Sequence, residues 1–173
     1  ELNIQRGSYY LMDKAYIDFS RLFHLNLEKA YFVVRAKDNI QFKKLNSRKV
    51  DKDSGIRSDQ DIVVTGPLSK DKYPDRMRRI EFYDADYDRY FVFLTNNFVV
   101  KAKTVAQLYK HRWYVELFFK WIKQHLKIKK FWGESENAVK TQIWIAICNY
   151  LLVAIIKKEL NIEKSLNEIL QII

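Results

Sequence analysis

Hydrophobic and polar positions along this chain fall into three regimes. Near the N-terminus, Ser8 to Asp13 (SYYLMD) and Ala30 to Val34 (AYFVV) are short, almost unbroken apolar runs rich in aromatic or β-branched residues. Such runs predict buried strands. Between them Phe19, Leu22, Phe23 and Leu27 recur at helical spacing, so Tyr16 to Leu27 reads as a helix and the two strands as a parallel pair. Asp13 then stands at the C-terminal edge of the first strand, a position where α/β sheets bind ligands. The plainer reading is that an acid after a strand caps the helix that follows.

The second regime, residues 39 to 89, is polar and charged, with turn clusters at Asp51–Gly55, Thr65–Lys72 and Asp84–Asp88. Short β-like runs lie between them at Gln41–Leu45, Ile62–Thr65 and Met77–Tyr83. The last pairs with Arg89–Thr95 across the acidic turn as a hairpin. The many acids here lack calcium-loop spacing and a closing Glu, so they read as turn formers.

The third regime is helical. Thr104 is a plausible N-cap, and Tyr109 to Lys127 (YKHRWYVELFFKWIKQHLK) has no Pro or Gly over five turns. Gly133 ends that segment, Ser135 opens a second helix reaching about Leu160, and Asn161 to Ile173 reads as a short amphipathic helix with an exposed apolar end at Ile169, Leu170, Ile172 and Ile173. The most apolar stretch, Ile143 to Ile156, contains Asn149 and is too short to span a bilayer, which predicts a core helix. Trp132 reads as core, or as a base-stacking platform.

Composition narrows the function. The chain has 173 residues, 48% of them apolar, with four Gly and two Pro, which is one ordered domain's worth. A net charge of +10 calls for a polyanionic partner, nucleic acid before anionic membrane. No stretch has the form of a signal peptide, and the single Cys148 in an apolar run predicts a buried, reduced thiol in a cytoplasmic protein. The charge is concentrated: residues 101–130 hold nine Lys/Arg against one Glu. On a helical wheel Tyr109, Arg112, Glu116, Lys120, Lys123 and Lys127 share one strip. Beside it Leu108, Val115, Phe118, Phe119, Ile122 and Leu126 form an apolar stripe. Charged residues on an amphipathic helix are usually a solvated face, and Glu116 with Lys120 is an ordinary i,i+4 pair. Four cations around one carboxylate, however, repel one another unless an anion lies among them. They suit a site that holds a metal ion and handles phosphate.

The gapless spacing Tyr109-x2-Arg112-x3-Glu116-x6-Lys123 resembles the Y-R-E-K signature of bacterial insertion-sequence transposases of the DDE type. Asp13-x-Ala15-Tyr16-x2-Phe19 resembles the motif around that family's second catalytic Asp, and FVVRAK, with Arg35 and Lys37, resembles a turn at which the family's Arg meets DNA. The resemblance covers essentially the whole chain. It implies an α/β fold, the C-terminal portion of an RNase H-like catalytic domain with an inserted β-rich subdomain, followed by long helices. On that division residues 1–37 are sheet strands and helix, 38–98 the β insertion, and 99–173 the helical part carrying the Glu. Asp13 and Glu116 are the expected catalytic and metal-binding acids. Arg35, Lys37, Tyr109, Arg112, Lys120, Lys123 and Lys127 are the expected DNA contacts, Tyr109 by donating a hydrogen bond to phosphate.

The implied chemistry is two-metal phosphoryl transfer with Mg²⁺ or Mn²⁺ on oxygen ligands. With one Cys and three scattered His, zinc is not expected. The implied partners are double-stranded DNA at transposon ends and target, and a second copy in the active complex. No membrane or small-molecule substrate is expected, and the location is the bacterial cytoplasm at the nucleoid. The family's first Asp precedes the second on an earlier strand, whereas residues 1–12 hold only the acid Glu1. The chain therefore reads as a piece of a longer protein, inactive alone. Two rivals stand beside this: a non-catalytic transposase-derived DNA-binding module, and a restriction-type nuclease. The nuclease wants Glu and Lys two apart on a strand, but Glu116 sits in a helical context.

Overall fold

The computed structural model describes residues 3–125 and 133–172. Strand β1 (Tyr9–Met12) leads through a 3₁₀ turn at Lys14–Tyr16 into helix α1 (Phe19–Leu27) and returns to strand β2 (Tyr31–Arg35). β1 and β2 are parallel, with Tyr9 opposite Tyr31 and Met12 opposite Val34. Asp18 caps α1 by accepting the Arg21 N–H. Asp13 caps the 3₁₀ turn through the Lys14 N–H.

Strands β3 (Phe42–Ser47), β4 (Ile56–Val64), β5 (Met77–Asp84) and β6 (Arg89–Thr95) complete one six-stranded sheet in the order β1-β2-β6-β5-β4-β3. β6 pairs antiparallel with β2, Val33 facing Thr95 and Arg35 facing Phe93. Residues 38–98 thus extend the sheet that β1 and β2 begin rather than folding into a sheet of their own. Gly55 enters β4 at φ +83, and a Cβ there would meet the Tyr83 carbonyl oxygen at 2.7 Å, so the sharp entry requires glycine.

Each face of the sheet carries a core, although β3 is exposed at every residue. On one, Phe32, Val34, Met77 and Leu94 pack with Leu22 and Leu25 of α1 and with Tyr73. On the other, Val33, Ile56, Ile80, Phe91 and Phe93 pack with Val105, Ala106 and Tyr109 of helix α2 (Ala102–Lys110). Each fully buried large apolar side chain contributes about 1.5–3 kcal/mol. Tyr9 and Leu11 belong to the α2 face, so the two-residue period of β1 carries Asp13 to that face as well.

The turn from β6 into α2 is held by polar groups. Asn96 accepts from the Phe32 N–H and donates to the Ala30 carbonyl and to Asn26. Asn97 accepts from Val99 and Val100 and donates to the Tyr9 hydroxyl at 2.6 Å. Arg78, 2% exposed, bonds the carbonyls of Asn97 and Val100 while its other nitrogens grip both carboxylate oxygens of Asp59. Arg48 does the same at the Phe98 carbonyl, anchored by Asp61. Asp59 and Asp61 are therefore buried strand residues neutralised by arginines, not turn formers. Thr104 is not the helix cap either: α2 starts behind Lys101 without a side-chain cap, and Asn97 bonds the Val99 and Val100 N–H groups of the turn that precedes it.

The expected single helix from Tyr109 is two. The His111 and Arg112 N–H groups bond three residues back, to Leu108 and Tyr109. That tightening ends α2 at Lys110, and α3 (Trp113–His125) begins after it. The wheel drawn through Tyr109, Arg112 and Glu116 therefore does not hold across the break.

Residues 1–113 and 114–173 are two compact units. In the second, α3 is followed by α4 (Glu136–Glu159) and α5 (Leu166–Leu170). Ser135 caps α4 through the Ala138 N–H, and Ser165 with Glu168 forms a reciprocal capping box on α5. The Phe118 and Tyr150 rings meet edge to face at 4.8 Å. Ile169 is buried rather than exposed, whereas Ile172 is exposed as expected. The expectation of a core helix at Ile143–Ile156 is not matched. Ala146 and Val153 are buried, but Trp144, Ile145, Leu151, Leu152 and Ile155 are exposed, and so is Cys148. Apolar residues surround α4 on all sides, more than one neighbouring helix covers. At 24 residues, with a window of mean hydropathy 1.7, α4 is long and apolar enough to cross a membrane by length and composition. That criterion is one that core helices of soluble proteins also meet. Trp132 and Leu126 lie outside the described residues.

Candidate DNA and metal site

At the C-terminal ends of β1 and β2, on the α2 face, the first unit brings together Asp13, Arg35, Tyr109 and Arg112. The first two arrive by strand alternation. Tyr109 sits in the last turn of α2, and Arg112 in the tight turn after it. An Arg112 guanidinium nitrogen lies 3.5 Å from Asp13 Oδ2, with Asp13 29% and Arg112 17% exposed. The other Asp13 oxygen accepts the Lys14 N–H. The Arg112 guanidinium also lies 5.4 Å from the Tyr109 ring centre.

Tyr109 differs from the expected phosphate donor. It is 3% exposed, with its ring against Phe93 at 4.7 Å. Its hydroxyl is buried without a well-formed hydrogen bond among the described residues. Burial pushes this phenol above its ordinary pKa; Arg112 pulls the other way and the Asp13 carboxylate adds to the rise. In this conformation Tyr109 is the wall against which Arg112 rests.

Lys37 is exposed beyond β2 and lines a hollow of about 470 Å³ with Lys14, Ala15, Asp38 and Asn39. Glu116 and Lys120 are exposed residues of α3, in the second unit. Lys123 belongs to α3 by its backbone, its side chain is not among the described groups, and Lys127 lies outside the described residues.

Asp13 suits a hard divalent cation in donor type: a carboxylate at a strand end, part-exposed, with lone pairs beyond those engaged by Lys14 and Arg112. Among the described residues no three His, Cys, Asp or Glu side chains cluster as a complete metal site. The donors present thus fit part of an oxygen-ligand set.

Comparison with known proteins decides the family. The model of the "Transposase DDE domain" matches residues 1–152. The chain belongs to this transposase family. A Sinorhizobium fredii (strain NBRC 101917 / NGR234) protein named "Putative transposase y4zB" is 38% identical over 88% of the chain and 43% of its own length. A Geobacillus stearothermophilus protein named "Probable transposase for insertion sequence element IS5377" is 33% identical over 88% of the chain and 41% of its own length. The chain thus spans about two-fifths of these relatives. DDE transposases are DNA phosphoryl-transfer enzymes that generally use divalent metal ions.

Several residues that shape the site were not anticipated. Asn96, Asn97, Arg78 and Arg48 set the start of α2, and through it the position of Tyr109 and Arg112. The Thr95-Asn96-Asn97 run after an apolar strand was the available signal, since Asn bonds its neighbouring backbone at turns. Lys110 binds the buried Asp84 carboxylate at 3.2 Å and ties the end of α2 to β5.

Proposed function

We propose that this chain is part of the catalytic region of an insertion-sequence DNA transposase, carrying two of its three metal-binding acids, Asp13 and Glu116. The observation that carries the reading is the convergence of Asp13, Arg35 and Arg112 at the ends of two parallel strands, within a chain of the transposase family. A carboxylate beside guanidinium groups is what a phosphodiester and a divalent cation need in common. Mg²⁺ or Mn²⁺, held by Asp13 and Glu116, would activate a water or 3′-hydroxyl and stabilise the leaving oxygen.

The chain's own residues do the positioning. Arg35 and Arg112 bind backbone phosphate beside the scissile bond. Arg112, now on Asp13, exchanges part of that contact for phosphate. Lys37, Lys120, Lys123 and Lys127 extend the electrostatic grip, and Tyr109 fixes the angle of Arg112 by packing. The DNA is a duplex at transposon ends, and the complete complex holds two copies. The RNase H-like arrangement with β3–β5 as an elaboration, and a location in the bacterial cytoplasm, belong to the same proposal.

With only two acids assigned, this chain alone should not cut. The test is nicking of a supercoiled plasmid in Mg²⁺ and in Mn²⁺, beside salt-dependent binding of linear duplex. Binding without nicking is the expected result. Metal-dependent nicking that vanishes in Asp13→Ala would contradict the two-acid assignment.

A further inference from the structure

We propose that Arg35 and Arg89 form a second phosphate grip, distinct from the Asp13–Arg112 pair, with Phe91 as the platform between them. The inference rests on reading the chain as a DNA binder and adds Arg89, which no sequence motif marked. The guanidinium carbon of Arg35 lies 5.3 Å from the Phe91 ring centre, and that of Arg89 lies 5.4 Å from the same centre. The sheet register explains this. Arg35 faces Phe93 across the β2–β6 pair, and Phe91 and Arg89 are the next two residues on the same face of β6.

Neither arginine has a carboxylate partner among the described residues. The nearest acid in register to Arg89 is Asp84, directly opposite on β5. Asp84 is buried, and its carboxylate is taken by Lys110 at 3.2 Å and by the Asp86 N–H. Two guanidiniums are thus held near one ring with no ion-paired carboxylate among the described residues, an arrangement favoured by an anion between or above them. Guanidinium forks match phosphate geometry. Phe91 is 9% exposed, enclosed by Phe93 and Tyr109 as well as by the two arginines, and so is not open to a base, which favours backbone over base as the ligand. Arg35 also contributes to the field at Tyr109, so this grip adjoins the Asp13–Arg112 pair on one side of the sheet. A duplex backbone crossing the strand ends would meet both.

The test is fluorescence anisotropy of the chain with a labelled 20-base-pair duplex over a sodium chloride series, comparing wild type, Arg89→Gln, Arg89→Lys and Lys52→Gln. Each neutralised phosphate adds about 0.9 to the slope of log affinity against log salt, which is about 8-fold in affinity at 0.1 M salt. Arg89→Gln should lose about that slope and that affinity, while Lys52→Gln, an exposed change in the turn before β4, should lose neither. An unchanged slope in folded Arg89→Gln, with wild type binding in a salt-dependent way, overturns the grip and leaves the DNA reading intact. Absence of salt-dependent binding by wild type overturns both. If Arg89→Gln does not fold, as judged by circular dichroism, Arg89→Lys decides. Reduced affinity at retained slope supports the grip, because charge remains and the fork is lost; wild-type affinity overturns it.

Discussion

Arg112 and Asp13 meet at 3.5 Å although they lie at opposite ends of the first unit's sequence. The contact exists because β1 delivers Asp13 to the α2 face and the tight turn after α2 delivers Arg112 to the end of β1. One member of the pair is an expected metal ligand and the other an expected phosphate contact.

Asp13 has two structural duties that substitutions should separate. Asp13→Asn keeps a side-chain oxygen for the Lys14 N–H and loses the ion pair, so urea unfolding should show a loss of up to about 1 kcal/mol. Asp13→Ala loses both, and about 2 kcal/mol in all is expected. Equal costs would mean that the cap contributes nothing.

The Arg78–Asp59 pair is the most buried ion pair among the described residues, its side chains 3% and 5% exposed. Removing one partner leaves an uncompensated buried charge, so Arg78→Met should cost about 3–5 kcal/mol in denaturant unfolding. The double variant Asp59→Leu/Arg78→Met should recover much of that loss. A double variant no more stable than Arg78→Met alone would show that the carbonyl bonds to Asn97 and Val100 are what matters most.

Asn97→Ala removes the bond to Tyr9 and both acceptor contacts to Val99 and Val100. At about 1 kcal/mol each, a loss of about 2–3 kcal/mol follows. Amide exchange at the first turn of α2 should quicken with it, and unchanged exchange would place the anchor of α2 elsewhere.

Tyr73 is 1% exposed with a hydroxyl that has no partner among the described residues, and burial, with Asp75 adding, pushes its pKa well above the ordinary 10. Burial raises Tyr109 too, against the pull of Arg112. A raised folded-state pKa means that the stability from the neutral phenol is fully present below pH 10 and is lost as pH climbs from there toward the folded-state value. The unfolding free energy should therefore be insensitive to these groups below pH 10, then fall by up to about 1.4 kcal/mol per pH unit for each phenol. Tyr73→Phe should remove one share of that fall and, by deleting an unsatisfied hydroxyl, stabilise the protein by about 1 kcal/mol at pH 7. An alkaline profile unchanged in Tyr73→Phe would contradict this.

The strands were legible where one rule governed them. AYFVV became β2, buried at Phe32, Val33 and Val34 as expected, whereas SYYLMD became the edge strand β1 and is only part-buried; the β5–β6 hairpin follows from alternation around an acidic turn. The joining of β6 to β2 was not legible, because nothing local tells a strand which edge to take. The break at His111–Arg112 carries neither Gly nor Pro; it arises from a shift to bonds three residues back, which composition does not mark. Asp59 and Asp61 read as turn formers because their neutralising arginines are brought opposite only by strand pairing. In the site, Asp13 and Arg112 could be singled out from the sequence, and their contact could not. Arg89 was invisible, since its neighbours Phe91 and Arg35 are joined to it only through the register of the sheet.

The central claim is that Asp13 and Glu116 hold one divalent ion. It is tested most directly by anomalous diffraction from crystals of this chain soaked in Mn²⁺. The account predicts a peak within bonding distance, near 2.1 Å, of a carboxylate oxygen from each. A soaked crystal in which the two ordered carboxylates stand more than about 10 Å apart, beyond the reach of a shared ion, would contradict it.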